Sequence, residues 1–239
     1  PLGTYLGGVV QWQGVFWIMS AMSLLLIAWI VSSIPDLPGQ SVNERQSLVQ
    51  IFKAPGIRSI LLVIFVWILA HNVLYTYIAP FLAKAGLGER VDVSLLIFGT
   101  SAVVGIWLTG LFIDRWLRAM TIISLLVFVL AAWLLGFGGE SRLVINAGIV
   151  LWGIGFGGAP VLLQTAIADS AGEGADVAQS MLVTVFNLAV AGGGLLGGVL
   201  LQRFGPGAFP WTVAVLGLVA LLVVGQGREH GFRAGDRRG

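Results

Sequence analysis

Seven apolar stretches alternate with polar connections along the chain. They span residues 15–31, 60–82, 93–113, 119–137, 143–163, 177–201 and 209–225. Each has roughly the 17 to 25 residues that a helix needs to cross the ~30 Å hydrocarbon layer of a membrane. The pattern predicts an all-α fold, a polytopic bundle of transmembrane helices. A shorter apolar stretch, residues 1–10, comes before them, and Gln11 to Gln13 are predicted to form the loop that follows it.

The composition agrees with a chain that lies in the lipid bilayer. Of the 239 residues, 57% are hydrophobic and 10% are charged, and the mean hydropathy of +0.96 is well above that of a soluble domain. The net charge of +2 resides in the connections, so it indicates orientation and not nucleic-acid binding. If the connection after residue 31 is cytoplasmic, nine of the 13 lysines and arginines lie inside. The positive-inside rule then places the C-terminus in the cytoplasm.

The longest connection, residues 32–56, is predicted to contain a short amphipathic helix. Residues 41–44 (Ser-Val-Asn-Glu) fit a capping box, and Leu48, Val49 and Phe52 follow at helical spacing before Pro55. Such a helix lies in the membrane interface; the alternative is a disordered linker whose periodicity arose by chance. The connection divides the chain into residues 1–32, the end of one bundle; 33–56, a cytoplasmic interdomain loop; 57–226, a six-helix bundle; and 227–239, a basic tail.

Polar side chains within the spans are the candidates for substrate binding. His71 and Asn72 lie near the middle of span 60–82, and Tyr75 follows one turn later. Asn187 belongs to a polar stripe in span 177–201 that also contains Ser180 and Thr184. Because an unpaired polar group in lipid costs several kcal/mol, these side chains are expected to face a cavity that holds the substrate, or else a neighbouring helix. Gln164, near the inner end of span 143–163, is expected either to contact the ligand or to cap its helix.

Glycines and prolines interrupt several of the spans. Gly153, Gly155 and Gly157 are spaced like a nucleotide-binding loop, but no strand precedes them and no lysine follows, so close helix packing is the interpretation. Pro80 and Pro160 occupy similar positions in the first helix of two predicted triplets, which would form inverted repeats. Each proline either bends its helix or ends the span.

The sequence does not favour an enzyme. The chain has no cysteine and two histidines, His71 and His230. The spans contain neither a nucleophile paired with a base nor a group of metal ligands. We therefore predict no catalytic residue, no metal and no cofactor.

The apolar run of span 93–113 ends in a string with a tightly spaced acid and two arginines, formed by Gly110, Asp114, Arg115 and Arg118. A glycine one turn before an aspartate lets a neighbouring helix approach closely. The carboxylate can then meet free amides at the N-terminus of another helix, or pair with an arginine. These four residues are predicted to form a gate that holds the cytoplasmic side closed.

This string resembles the loop signature of the major facilitator superfamily of secondary transporters, in the copy between helices eight and nine. Residues 1–7 resemble the tail of the helix-five antiporter signature, residues 71–81 resemble helix seven of the sugar and nucleoside exporters, and residues 180–198 resemble helix eleven. The chain thus resembles the last part of a twelve-helix drug and sugar efflux transporter, from the end of helix five through helix twelve. Trp12 with Phe16 and Trp17 resembles the turn into helix six, but Gln13 follows Trp12 where the resemblance leads us to expect arginine.

The resemblance implies efflux of a small-molecule substrate, a sugar, nucleoside or drug-like solute, across the cell (inner) membrane. Transport is expected to be proton-coupled antiport by alternating access, in which two six-helix bundles rock around a site near the midplane. His71 is a candidate proton carrier, because histidine titrates near neutral pH. The chain is expected to be a fragment whose missing N-terminal bundle supplies the second cavity wall and the coupling acids. The alternative is a non-transporting membrane scaffold or receptor subunit that retains the fold.

Overall fold

The computed structural model describes residues 2–35, 47–139, 141–227 and 230–232. All regular structure within these residues is helical, which confirms the all-α prediction. The chain divides into two compact units, Pro1–Arg45 and Gln46–Gly239. The described part of the first unit is helix α1 (Leu2–Ser33) and the two residues after it.

Helix α1 is continuous, so the loop predicted at Gln11 to Gln13 is wrong. Glutamine and tryptophan have ordinary helix propensities, and the helix contains neither a proline nor a glycine with positive φ that would interrupt it. Its segment Gln13–Ser33 has 21 residues and is long and apolar enough to cross a membrane.

The described part of the second unit begins with a short helix and continues as six spans. Its helices are α2 (Leu48–Lys53), α3 (Ile57–Thr76), α4 (Ile78–Lys84), α5 (Val91–Phe137), α6 (Arg142–Gly157), α7 (Ala159–Ala171), α8 (Ala175–Phe204) and α9 (Ala208–Gln226). Helix α3 with α4 forms one span, α6 with α7 forms another, and α5 forms two. Together with α8 and α9 they match the six spans that hydropathy predicts between residues 60 and 225.

Helix α2 is capped by residues other than those expected. Residues 41–44, the predicted capping box, lie outside the described residues. In the structure the Ser47 hydroxyl accepts from the amide of Val49 at 3.3 Å, and the Ser47 amide donates to the Gln50 side chain at 3.2 Å. Ile51 is buried, whereas the apolar side chains of Leu48, Val49 and Phe52 are exposed.

Helix α5 contains a turn that converts it into two spans. Its 47 residues would extend about 70 Å as a straight helix, more than twice the thickness of the hydrocarbon layer. Trp116 has non-helical angles, φ −134° and ψ 44°, and the helix kinks there. The first arm, residues 91–115, and the second arm, residues 117–137, therefore correspond to the two predicted spans.

Each predicted proline bend lies just after a break in a span. Tyr77, with φ −113° and ψ 29°, separates α3 from α4, and Pro80 is the third residue of α4. Gly158 separates α6 from α7, and Pro160 is the second residue of α7. Proline clashes with the carbonyl four residues earlier and has no amide hydrogen, so the helix before it cannot continue unbroken. Both prolines bend their spans and do not end them.

Glycines allow the first arm of α5 to lie directly against α6. A Cβ added at Gly153 would be 2.5 Å from the Phe98 carbonyl oxygen, and one at Gly157 would collide with the Ala102 carbonyl. On the other side of α6, a Cβ at Gly155 would be 2.8 Å from the Phe128 amide nitrogen in the second arm. The interpretation of these glycines as packing residues is correct.

Candidate functional site

Helices α3 and α8 lie close together and carry the predicted asparagines. A Cβ at Gly193 of α8 would be 2.5 Å from Cβ of Asn72, so little more than backbone separates the two helices at this level. The Asn72 side-chain amide donates to the Ile68 carbonyl of its own helix at 2.9 Å, and that of Asn187 donates to the Val183 carbonyl at 2.8 Å. These bonds satisfy part of each amide group and leave its Oδ1 to accept a hydrogen bond from a ligand.

The predicted binding residues differ in exposure. Asn187, Gln164 and Tyr75 are exposed, Asn72 is half-buried, and His71 is buried with 8% of its surface accessible. Gln164 is the sixth residue of α7 and therefore does not cap a helix end. Of the polar residues in the middle of α3, His71 points inward, and Tyr75 lies at the surface of the bundle.

His71 belongs to a group of aromatic side chains that joins α3 to α5 and α6. Its imidazole stacks on Phe156 with ring centroids 3.6 Å apart and an interplanar angle of 2°. Tyr75 stacks on the same imidazole at 5.1 Å and 22°. We call Phe156, His71 and Tyr75 the aromatic stack. Phe98 and Trp152, whose centroids are 4.5 Å apart, pack against His71 at 5.8 and 5.3 Å.

Three ring nitrogens in and around this group are buried without a hydrogen-bond partner in the described part of the chain. They are Nε1 of Trp67, Nδ1 of His71 and Nε1 of Trp152. A buried polar atom without a partner costs about 1 to 3 kcal/mol. Apolar residues of the core have no such cost, so an imidazole at position 71 is less favourable for stability than an apolar ring in the same place.

The predicted gate residues lie at and around the kink of α5. Gly110 is exposed, and a Cβ there would meet no atom within 4 Å. Asp114 and Arg115 are exposed, and the Arg115 guanidinium lies 5.8 Å from the centroid of the Trp116 ring. These three residues therefore occupy an accessible surface where a second helix could approach.

Arg118 binds the end of the bundle's last helix. It donates to the Gly225 carbonyl at 3.0 Å and to the Phe232 carbonyl at 2.9 Å. Carbonyls in the last turn of a helix have no partner within it, and a cation there also interacts favourably with the helix dipole. The sequence predicts a role of Arg118 in the gate and contains no signal for this contact.

The residues after α9 fold back onto the bundle as a short segment, residues 230–232, which we call the C-terminal clasp. Phe232 has no accessible surface. The Ser170 hydroxyl donates to the Gly231 carbonyl at 3.5 Å. Gly56 and Gly231, both with positive φ, face each other so closely that a Cβ at Gly56 would collide with the Gly231 backbone. The one sequence signal for the clasp is an aromatic residue directly after glycine in a polar tail.

The sequence of this chain matches a known protein family. The family model of the Major Facilitator Superfamily matches residues 1–190. The chain belongs to the major facilitator superfamily. This finding confirms the resemblance found in the sequence. Together with the long apolar helices, it makes the chain a multi-pass membrane protein of a transporter family and not an enzyme.

The superfamily members similar to this chain include named efflux pumps. The purine ribonucleoside efflux pumps NepI of Escherichia coli O157:H7 and of Salmonella choleraesuis (strain SC-B67) are each 31% identical to it over 207 residues. The alignments cover 86% of this chain and 52% of each relative. The chain thus spans about half the length of the curated relatives it matches.

A solved structure shows the same fold. The crystal structure of the POT family transporter PepTSo superimposes with a TM-score of 0.68 over 76% of this chain and 39% of that chain. The sequence identity is 19%, so this similarity concerns the fold alone. The six spans of the second unit accordingly form a bundle of the major facilitator type.

The contact between Arg118 and the C-terminal clasp leads to a prediction about stability. Arg118→Ala removes two charge-assisted hydrogen bonds, and we expect the free energy of unfolding to fall by about 1 to 3 kcal/mol, because the guanidinium is partly exposed. Thermal unfolding of the purified protein measures the loss. Hydrogen exchange at the Phe232 amide, which donates to Gly227 at 3.3 Å, should accelerate.

Arg203→Ala is the matched control, because Arg203 is an exposed arginine at the end of α8. It should leave both measurements unchanged. Equal effects of the two substitutions would mean that the contact with the clasp adds nothing to the free energy of unfolding beyond the effect of removing a positive charge.

Proposed function

We propose that this chain forms the C-terminal bundle of an efflux transporter that moves a small organic solute across the cell's inner membrane by alternating access. Residues 57–226 form this bundle, residues 1–32 belong to the end of the N-terminal bundle, residues 33–56 connect the two on the cytoplasmic side, and residues 227–239 form a cytoplasmic tail. The exposed Asn187 and the half-buried Asn72 carry the proposal. Each uses its amide nitrogen within its own helix and presents an acceptor oxygen, on helices otherwise made mainly of apolar residues.

The relatives support a class of cargo. Proteins named purine ribonucleoside efflux pumps align with 86% of this chain. A nucleoside carries hydroxyl and N–H donors that suit the Oδ1 atoms of Asn72 and Asn187. We therefore propose nucleosides as the solute class and the proton gradient as the driving force, with the coupling acids in the N-terminal bundle.

The two broken spans support alternating access. The breaks at Tyr77 and Gly158 interrupt the hydrogen-bond ladders of α3–α4 and α6–α7. Helix breaks allow the halves of a span to tilt with respect to each other when the cavity opens on one side. Asp114 and Arg115, at the exposed turn of α5, are proposed to hold the cytoplasmic side closed against the N-terminal bundle. A contact that must open repeatedly is limited to a few kcal/mol.

Nucleoside transport by the full-length protein in proteoliposomes is the direct test. With an imposed pH gradient we expect uptake of inosine or adenosine into vesicles in which the protein is inserted inside out. Uptake should stop when an ionophore dissipates the gradient. Asn187→Ala should lower transport about two- to tenfold, the equivalent of one uncharged hydrogen bond. Asp114→Ala should lower it about tenfold by weakening the closed state.

Gln202→Ala is the matched control for Asn187→Ala, because Gln202 is an exposed amide residue at the far end of the same helix. It should leave transport unchanged. If Asn187→Ala and Asp114→Ala both transport like the wild type, the proposed roles of these residues are wrong. If the intact protein moves no solute under any gradient, the alternative of a non-transporting scaffold is favoured.

A further inference from the structure

The aromatic stack ends at a ring that is open to the surroundings of the bundle. Phe156 is half-buried and His71 is buried, but 43% of the surface of Tyr75 is accessible. The interplanar angles of 2° and 22° make the three rings nearly parallel. A flat ring placed on the accessible side of Tyr75 would extend the stack by one member.

We infer that Tyr75 is a stacking platform for the planar heteroaromatic base of the transported solute. This inference rests on the proposed function, because it gives the exported solute a position and a chemical class. Tyr75 and the two rings stacked behind it would bind the base, and polar groups elsewhere in the cavity would bind the sugar.

The rings around the stack fix the orientation of the platform. Trp152, almost fully buried, lies 6.3 Å from Tyr75 at an angle of 68°, and Phe98 lies 5.8 Å from it at 52°. Edge contacts of this kind complement the parallel ones, because the positive edge of one ring meets the negative face of another. A ring held on several sides loses little further side-chain entropy when a ligand binds, so more of the stacking energy contributes to affinity.

The unpaired nitrogens show that this group is not built for stability alone. Nδ1 of His71 and Nε1 of Trp152 are buried without partners among the described residues. Leucine or phenylalanine at position 71 would fill a similar volume without that cost. Residues that break a local rule of stability are expected where a site needs their shape or their polarity. Here the imidazole supplies a flat ring that stacks on Phe156, with centroids 3.6 Å apart, and on Tyr75, with centroids 5.1 Å apart.

The chemistry of the stack selects for planar ligands with donor groups at their edge. A purine or pyrimidine base has two π faces, and a free sugar has none. Asn72, one turn before Tyr75 on α3, has its amide nitrogen engaged by Ile68 and its Oδ1 left to accept from an N–H on the edge of the base. The site therefore fits an aminated or oxidised heteroaromatic ring and does not fit ribose alone.

Equilibrium binding of 2-aminopurine riboside to the purified full-length protein tests the inference independently of transport. This nucleoside is fluorescent, and its emission is quenched when its base stacks on another ring. The wild-type protein should bind and quench it. Tyr75→Ala should weaken binding by about 5- to 150-fold, the range found when one stacking partner of a base is removed, and should abolish the quenching of whatever remains bound. Tyr75→Phe should restore both affinity and quenching.

Two controls separate stacking from general damage to the fold. Phe137→Ala removes an exposed aromatic ring at the end of α5 and should leave binding unchanged. Ribose, which has no flat ring, should not compete with the fluorescent nucleoside. Tyr75→Ala should still unfold in a single cooperative thermal transition, which shows that a loss of binding does not come from a loss of the fold.

The outcomes for the platform and for transport are distinguishable. Equal binding and quenching by wild type and Tyr75→Ala would overturn the platform while leaving nucleoside transport intact. Transport of other solutes without binding of any nucleoside would overturn the ligand class. Quenched binding that depends on Tyr75, without transport under any gradient, would support the platform and overturn the proposed function.

Discussion

Gly157→Ala is expected to destabilise the bundle, although alanine is the better helix former. The added Cβ would collide with the Ala102 carbonyl oxygen and lie 2.8 Å from Cα of that residue. Since both are backbone atoms, no side chain can rotate away, and α5 and α6 must separate. Overpacking of this kind costs about 1 to 3 kcal/mol, and more where the backbone cannot adjust. The fall in the thermal unfolding temperature of the purified protein measures it.

Gly99→Ala gives the matched comparison on the facing helix. A Cβ at Gly99 meets no atom within 4 Å, so this substitution has only the effect of helix propensity. It should stabilise α5 by up to about 1 kcal/mol. The two glycine-to-alanine changes are thus expected to differ in sign. If Gly157→Ala is as stable as Gly99→Ala, the close approach of the first arm of α5 to α6 is not present in the folded protein.

The spans could be predicted from the sequence, but the breaks within them could not be placed. A membrane helix needs enough apolar residues to cross the hydrocarbon layer, which makes it recognisable in a sequence. Five of the six spans from residue 57 onward begin and end within three residues of their predicted bounds, and the span predicted at 143–163 continues to Ala171. Pro80 and Pro160 indicated a disturbance, but the helices break at Tyr77 and Gly158, three and two positions earlier. A proline disrupts the helical turn before it, and the residue at which the helix breaks depends on how that turn packs against its neighbours.

The inward and outward sides of α3 could not be read from the sequence. A helix that is apolar on all sides has no periodic pattern to show which face is buried. Adjacent polar residues such as His71 and Asn72 also point about 100° apart around a helix. Only the packing of α3 against α6 shows that His71 lies within the aromatic stack while Tyr75 reaches the surface.

The clasp and the aromatic stack depend on contacts between residues far apart in the chain. Arg118 meets Phe232 across 114 positions, and His71 meets Phe156 from another helix. A single sequence contains no signal for such pairs. The glycines of α6 could be interpreted correctly because their meaning is local: a helix with glycine at alternate positions is one that another backbone approaches.

The aromatic stack joins the two broken spans at one level. His71 lies six positions before the break at Tyr77, and Phe156 lies two positions before the break at Gly158. A ring contact at this position holds α3 and α6 together on the N-terminal side of each break, and α4 and α7 continue on the C-terminal side. We infer that His71 acts through its shape, as the middle ring of the stack, and that the proton of the proposed antiport is carried elsewhere.

His71→Phe and His71→Ala are expected to have opposite effects. Phenylalanine keeps a flat ring between Phe156 and Tyr75 and removes the unpaired Nδ1, so the free energy of unfolding should be equal or higher. Transport, and its dependence on pH, should persist. Alanine leaves a cavity in the middle of the stack, and loss of a buried aromatic side chain costs about 3 to 5 kcal/mol. We expect His71→Ala to unfold at a markedly lower temperature and to lose most of its transport.

Transport rates across a range of pH, measured on variants shown to be folded, decide between shape and proton transfer. If His71→Phe is folded and stable but its transport no longer responds to the pH gradient, the imidazole carries the proton, because phenylalanine differs from histidine here in polarity far more than in shape. If His71→Phe keeps its pH response while His71→Ala loses transport, a ring is required at position 71 and a titrating group is not. The proton site is then to be sought in the N-terminal bundle, where the coupling acids are proposed to lie.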